Sequence, residues 1–387
     1  MTAPAPPFAA FAAVLCCYFA TIGLFNPYAP LWFKELGFST LAIGAIASLQ
    51  SWTRILAPYG WGWLGDHGGN RVQLVRLAAV GTALAAASLL VAREYGAVAA
   101  ATALMFLANG AIVPLSEAAL AVHLSRGGTM DTARYGRVRM WGSVGFIVAV
   151  VAAGAALQAF GIGLFPWLCL GLCALLAVAT LRLPATRDEH AAAAAASGVL
   201  AVLRQREVRW FFASVAFTVL AHTSVYAFLS LYLDALGYPK SAVGALWAVS
   251  VAVEIGFFFL QGRLFGRLSP VRWLQGAALL SVLRFALVAA FAAQPAVLVL
   301  AQLLHAGTFA AHHAACIVVI NRHFPGRLRG RGQALYTVLG YGIPGVIGGV
   351  GGGWLSANLG FPAVFWAAVG AAVAALFCAH AMGRSSR

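Results

Sequence analysis

Five charged side chains stand inside long apolar stretches of the 387-residue sequence: Arg54, Glu117, Arg139, Glu254 and Arg284. On membrane-insertion scales each mid-stretch charge costs roughly 2.5 to 3.5 kcal/mol, so the set costs on the order of 10 kcal/mol, comparable to the stability of a whole domain. Such groups must pair with one another or line water. Ion pairing that merely ties helices together is the plainest use, but packed apolar residues would do that equally well. As a set, the five point to handling of a charged solute. Three arginines against two glutamates leave one net positive charge, which a single anion would neutralise. Protonating a glutamate enlarges that excess, so proton and anion binding should favour each other. Proton-coupled uptake of a monocarboxylate is the chemistry these signs imply.

Histidines extend the set. His222 lies in one apolar stretch, and His305, His312 and His313 lie in another. An imidazole can hydrogen-bond a solute or relay a proton near neutral pH, or simply sit buried with its hydrogen bonds met. His305 and His312 are seven residues apart, which places them on one helical face, with His313 turned about 100° away. Acidic partners are lacking nearby, so no metal site is expected. The six cysteines, Cys16, Cys17, Cys169, Cys173, Cys316 and Cys378, all fall inside apolar stretches and read as small buried hydrophobes. Trp52, two residues before Arg54, and Tyr226, four after His222, are placed to line a cavity suited to an aromatic or amphipathic solute.

The elements that must position these groups are membrane helices. The chain is 62% hydrophobic and only 9% charged, against about 25% charged in a soluble domain. Apolar runs of roughly 20 residues, each able to cross about 30 Å of hydrocarbon as a helix, recur near 8 to 33, 40 to 64, 71 to 92, 96 to 124, 136 to 159 and 162 to 182. A second series runs near 209 to 233, 241 to 264, 271 to 293, 295 to 321, 332 to 356 and 361 to 383. The first run lacks the basic start of a secretory signal and reads as a helix that stays. The formal net charge of +15 would suggest nucleic acid in a soluble protein, but nineteen of the 25 Lys and Arg fall in alternate connections. This positive-inside bias places both termini in the cytoplasm and assigns the charge to orientation and anionic lipid. Nucleic acid is excluded.

The two series are copies. Leu31, Leu36, Gly37, Ala42, Gly44 and Ala45 recur 200 residues later as Leu231, Leu236, Gly237, Ala242, Gly244 and Ala245, with Gly62/Gly262 and Leu64/Leu264 beyond them. Arg54 then stands opposite Glu254, a sign reversal between equivalent positions. Six spans per copy make the repeat parallel. The expected fold is an all-α polytopic membrane protein of twelve transmembrane helices in two pseudo-symmetric six-helix bundles. Residues 1–183 form one bundle, 184–206 a cytoplasmic linker with a short interfacial helix, and 207–387 the other. An enzyme would need a nucleophile or metal cluster at one face, and a receptor has no reason for midmembrane charges in both copies.

Gly62-Trp63-Leu64-Gly65-Asp66-His67-Gly68-Gly69-Asn70-Arg71 resembles the G-x-L-x-D-x-x-G-x-R loop signature of the major facilitator superfamily. A tight glycine turn there would make Asp66 and Arg71 a gating latch. The whole chain resembles the phenylpropionate permease family, a branch of that superfamily related to the lactose permease group of sugar and proton symporters. The resemblance is carried by Phe25-Asn26-Pro27-Tyr28 leading to Trp32, by Val113 to Ala118, and by Tyr135-Gly136-Arg137-Val138-Arg139-Met140-Trp141-Gly142-Ser143. In the second half it rests on Ala221-His222, Glu254, Leu283-Arg284 and Leu304 to Phe309. It implies a symporter of the bacterial inner membrane, working by alternating access on a proton gradient, with no cofactor, as a monomer in the lipid bilayer. The implied cargo is an aromatic carboxylate, with a sugar or nucleoside as the alternative. Arg54, Glu117, Arg139, Arg284, His305, Trp52, Asn26 and Tyr28 form the expected substrate-binding set, and Glu254, Glu117 and His305 the proton-coupling set. Thr308 stands where the sugar symporters carry a proton-binding glutamate, and Gln302 where they carry lysine. Glu254 therefore becomes the first candidate for the proton. Glu117 stands where the phenylpropionate branch commonly has aspartate.

Overall fold

The computed structural model describes residues 8–68, 70–126, 129–184 and 198–385. In lipid, backbone groups find no water, so each crossing segment must satisfy its hydrogen bonds internally. The chain does so with helices α1 (Phe8–Glu35), α2 (Thr40–Gly68), α3 (Arg71–Ser88), α4 (Tyr95–Leu124), α5 (Thr132–Phe160) and α6 (Ile162–Thr180). A short helix, Val199–Arg204, precedes α7 (Arg206–Ala235), α8 (Lys240–Arg267), α9 (Pro270–Phe291), α10 (Pro295–His323), α11 (Arg329–Leu359) and α12 (Phe361–Ser385). Between α4 and α5, Ser125–Arg126 pairs antiparallel with Thr129–Met130, a minor addition to the expected all-helical fold.

Among the described residues ten helices are long and apolar enough to cross a membrane, which makes this a multi-pass membrane protein. The other two are α2, with Arg54 at mid-length, and α3, which has only 18 residues and carries Arg71 and Arg76 near its start. Arg76 reaches across to donate to the carbonyls of Thr180, Leu181 and Leu183 at 3.3, 3.2 and 2.9 Å, a cation on the negative end of α6. The connection after α2 differs from the expected glycine turn. Helix α2 continues through Gly68, and the Asn70 side chain caps α3 by accepting from the Gln73 amide at 3.1 Å. The Asp66 side chain lies outside the described residues. The repeat is visible in the backbone: α1 and α7 both run into a glycine of positive φ, Gly37 at 84° and Gly237 at 81°, a conformation other residues adopt at a cost.

Two compact units result. One takes in Met1–Leu36, Thr53–Ala191 and Lys240–Ala245; the other takes in Gly37–Trp52, Ala192–Pro239 and Leu246–Arg387. In the first, α1 packs along α5 and α6, and α3 packs against α4 and α6, around a core that includes Phe11, Leu15, Val75, Ile112 and Leu176. Close backbone approach requires small residues here: a Cβ at Gly145 would collide with the Cys16 carbonyl. In the second, α12 packs along α7 and α9 around Phe211, Val215, Leu274, Cys316 and Phe324. Each unit also holds the opening turns of a helix whose remainder belongs to the other, and the repeated glycines explain how. Within the second unit a Cβ at Gly44 would collide with the Gly349 carbonyl. Within the first, a Cβ at Gly244 would come 2.5 Å from both the Val150 carbonyl and the Tyr28 hydroxyl.

Candidate functional site

The five midspan charges and the histidines sort into two clusters, one in each unit. In the first unit Arg139 Nε of α5 lies 3.3 Å from Glu117 Oε1 of α4, with side chains 37% and 30% exposed. The Arg139 guanidinium covers the Phe19 ring at 4.3 Å, and Tyr135 hydrogen-bonds the Glu117 carboxylate. Tyr18 sits in the combined field of Arg54, Arg139 and Glu117, which brings the second arginine to the same group. Two cations against one anion leave this unit's cluster positive. Asn26 is partly buried on α1. Tyr28 departs from its expected substrate-binding role: it is fully buried and its hydroxyl donates to the Val150 carbonyl at 2.8 Å, so it fastens helices. Trp52 is 48% exposed and belongs to the second unit, whereas Arg54 belongs to the first.

The second unit assembles a tighter arrangement around Arg284 of α9, which is 1% exposed. One terminal nitrogen donates to His305 Nδ1 at 2.9 Å and to Thr308 Oγ1 at 3.1 Å; the other donates to Gln302 Oε1 at 3.0 Å. A guanidinium only donates, so His305 Nδ1 must carry a lone pair and the ring is the neutral Nε2–H tautomer. That Nε2–H faces Glu254 Oε2 of α8 at 3.6 Å. One imidazole thus stands between a permanent cation and a titratable carboxylate. His222 of α7 closes the far side. Its Nδ1 lies 2.8 Å from the Thr218 carbonyl and must donate there, leaving Nε2, 3.4 Å from Thr308 Oγ1, as an acceptor. The Ser250 hydroxyl donates to Gln302 Oε1. Two buried donors, Arg284 Nε and Gln302 Nε2, have no hydrogen-bond partner among the described residues. Burying a donor unmet costs about 1 to 3 kcal/mol, and sites that take up a polar ligand or water are where such groups persist.

Histidine placement in α10 differs from the α-helical expectation. Residues Ala306–Ala311 form a π-helical segment, which fits one extra residue into a turn, so alignment passes from the seventh residue to the eighth. His305 stacks on Phe309 at 5.1 Å and Phe309 on His313 at 6.3 Å. His313, not His312, therefore shares the face of His305. Its Nδ1 contacts the Tyr336 hydroxyl at 3.1 Å, while His312 is buried beside Cys316. Ser250 was not singled out from sequence, although it lies four residues before Glu254 and hence on the same helical face. Among the described residues, no three His, Cys, Asp or Glu side chains gather as a metal site.

A multi-pass helical fold with charged clusters held inside its apolar units defines a membrane transporter. Residues 8–367 match the MFS_1 like family, and the chain belongs to that family, within the major facilitator superfamily. It is 31% identical over 372 residues, covering 93% of this chain and 94% of the relative, to a probable 3-phenylpropionic acid transporter of Escherichia coli (strain K12). It is 29% identical over 317 residues, covering 80% of this chain and 77% of the relative, to the maltose permease of Geobacillus stearothermophilus. In fold it resembles the nucleoside transporter NupG, with a TM-score of 0.81 at 16% identity, over 98% of this chain and all of that one.

Proposed function

We propose that the protein is a proton-coupled symporter of the bacterial inner membrane that imports an aromatic carboxylate by alternating access, as a monomer with twelve spans and both termini cytoplasmic. The observation that carries the reading is the line Glu254, His305, Arg284: a carboxylate and a buried arginine on opposite nitrogens of one imidazole. Its logic is exclusion. A doubly protonated imidazole has no lone pair, so His305 cannot hold a second proton while Arg284 donates to Nδ1. An incoming carboxylate that takes the Arg284 donors releases Nδ1, and a proton delivered through Glu254 can then be held on the pair. Anion and proton stabilise each other's bound state, and neither is well held alone. Arg54, in the positively charged cluster of the first unit, is the second candidate to meet the carboxylate, and in that same cluster the Glu117–Arg139 pair holds a polar group of the cargo. The phenylpropionate relative supports an aromatic acid. The maltose permease relative keeps a sugar as the alternative, for which the partly exposed Glu117–Arg139 pair offers both donors and acceptors.

Counterflow and gradient-driven uptake in proteoliposomes, with aromatic acids, sugars and nucleosides, test this reading. Acids should accumulate only with an inward proton gradient. Glu254→Gln should abolish accumulation and retain exchange. Uptake of neutral sugars but not acids rejects the substrate class, and unchanged accumulation in Glu254→Gln removes the proton assignment.

A further inference from the structure

Among the described residues, the acceptors that Arg284 meets are all neutral: an amide oxygen, a hydroxyl and an unprotonated ring nitrogen. These groups orient the guanidinium without neutralising it. Ordinarily a buried arginine takes a carboxylate partner, and Glu254 stands one imidazole away rather than on the guanidinium itself. The orientation of Gln302 is settled by its neighbours. Arg284 can only donate, so the amide oxygen must face it, and the Ser250 hydroxyl adds a second donor to that same oxygen. The Gln302 amide nitrogen and Arg284 Nε are both buried donors with no partner among the described residues, so two hydrogen-bond positions in this cage are left for an acceptor. Gln302 and Thr308 are themselves 1% and 0% exposed, so bulk water does not screen the charge they hold.

From this we infer that Gln302, held by Ser250 and seconded by Thr308, is the charge-selectivity determinant of the site: its neutral oxygen fixes Arg284 in place and reserves the positive charge for an anionic cargo. This rests on the carboxylate reading above and names the residues that enforce it. Gln302 acts through Arg284 and is a positioning residue.

The test exploits an isosteric change. Gln302→Glu keeps size and shape but puts a carboxylate on the Arg284 guanidinium. Gln302→Met keeps the volume, removes the oxygen and leaves the charge free. Binding of benzoate, phenylacetate and 3-phenylpropionate, and of the corresponding uncharged primary amides, is measured on purified protein. The wild type should prefer acids. Gln302→Glu should lower acid affinity roughly tenfold or more while amide affinity changes far less, collapsing the acid-to-amide ratio. In Gln302→Met both affinities should fall together with the ratio kept above one. A wild-type ratio retained in Gln302→Glu overturns the inference alone, as does an equal collapse of the ratio in Gln302→Met, since loss of the oxygen and not gain of charge would then be responsible. A wild type that binds no acid overturns the carboxylate reading as well.

Discussion

His305 is the residue at which the two halves of the proposed coupling meet, because its nitrogens face a donor-only group and a carboxylate. Asparagine places an amide oxygen near the Nδ1 position but leaves nothing at Nε2. His305→Asn should therefore still hold Arg284 and still bind acid, yet lose gradient-driven accumulation by about 10²-fold, the usual loss for a missing proton-transfer group. Measuring exchange and accumulation on one preparation separates the two, and equal loss of both would assign the ring a purely structural role. Arg54, Glu117, Arg139, Glu254 and Arg284 were legible from sequence because a charge in an apolar run carries a large and unmistakable penalty. Ser250 and the cage role of Gln302 were not, since a hydroxyl or amide is tolerated in a membrane helix for many reasons and only geometry says which donor it meets. Tyr28 misled for a related cause. A tyrosine beside a motif advertises a polar tip, whereas the tip is committed to the Val150 carbonyl.

At the scale of elements, helix existence was written plainly in hydropathy, and helix register was not. The seven-residue spacing of His305 and His312 assumed 3.6 residues per turn, and the π-helical Ala306–Ala311 segment passes the shared face to His313. No residue type marks such a segment reliably. The repeated glycines present the converse case: their recurrence was legible and their purpose was not. Gly244 brings α8 onto the Val150 carbonyl and the Tyr28 hydroxyl, where a methyl group would sit 2.5 Å from both. Gly244→Ala should destabilise the protein by about 1 to 3 kcal/mol through overpacking. Thermal unfolding in detergent measures this, with Gly256→Ala, where no atom lies within 4 Å of the added Cβ, as the unaffected comparison.

For the whole molecule, the repeat and the hydropathy anticipated a helical membrane protein, and among the described residues ten helices are long and apolar enough to cross a bilayer. The charges that make α2 and α3 less apolar, Arg54, Arg71 and Arg76, belong to the charged cluster, the first turn of α3 and the α6 cap. Function and helix capping thus blur the signal of span. Orientation rests on the basic connections alone. Green fluorescent protein fused after Arg387 should fluoresce and alkaline phosphatase fused there should be inactive; active phosphatase would reverse the proposed topology. Among the described residues three segments are π-helical, Val225–Leu229, Ala306–Ala311 and Tyr336–Gly342, and all fall in the second unit. Each holds one residue more than an α turn requires, so each corresponds to a single codon that can enter or leave a gene in frame. Loss of one codon within 306–311 would return the segment to α geometry and bring His313 to the seventh place after His305, still on the same face. The helix can therefore lose a residue here without turning these two histidines apart, and relatives are best compared by where their helices gain or lose a residue as well as by which residues they carry.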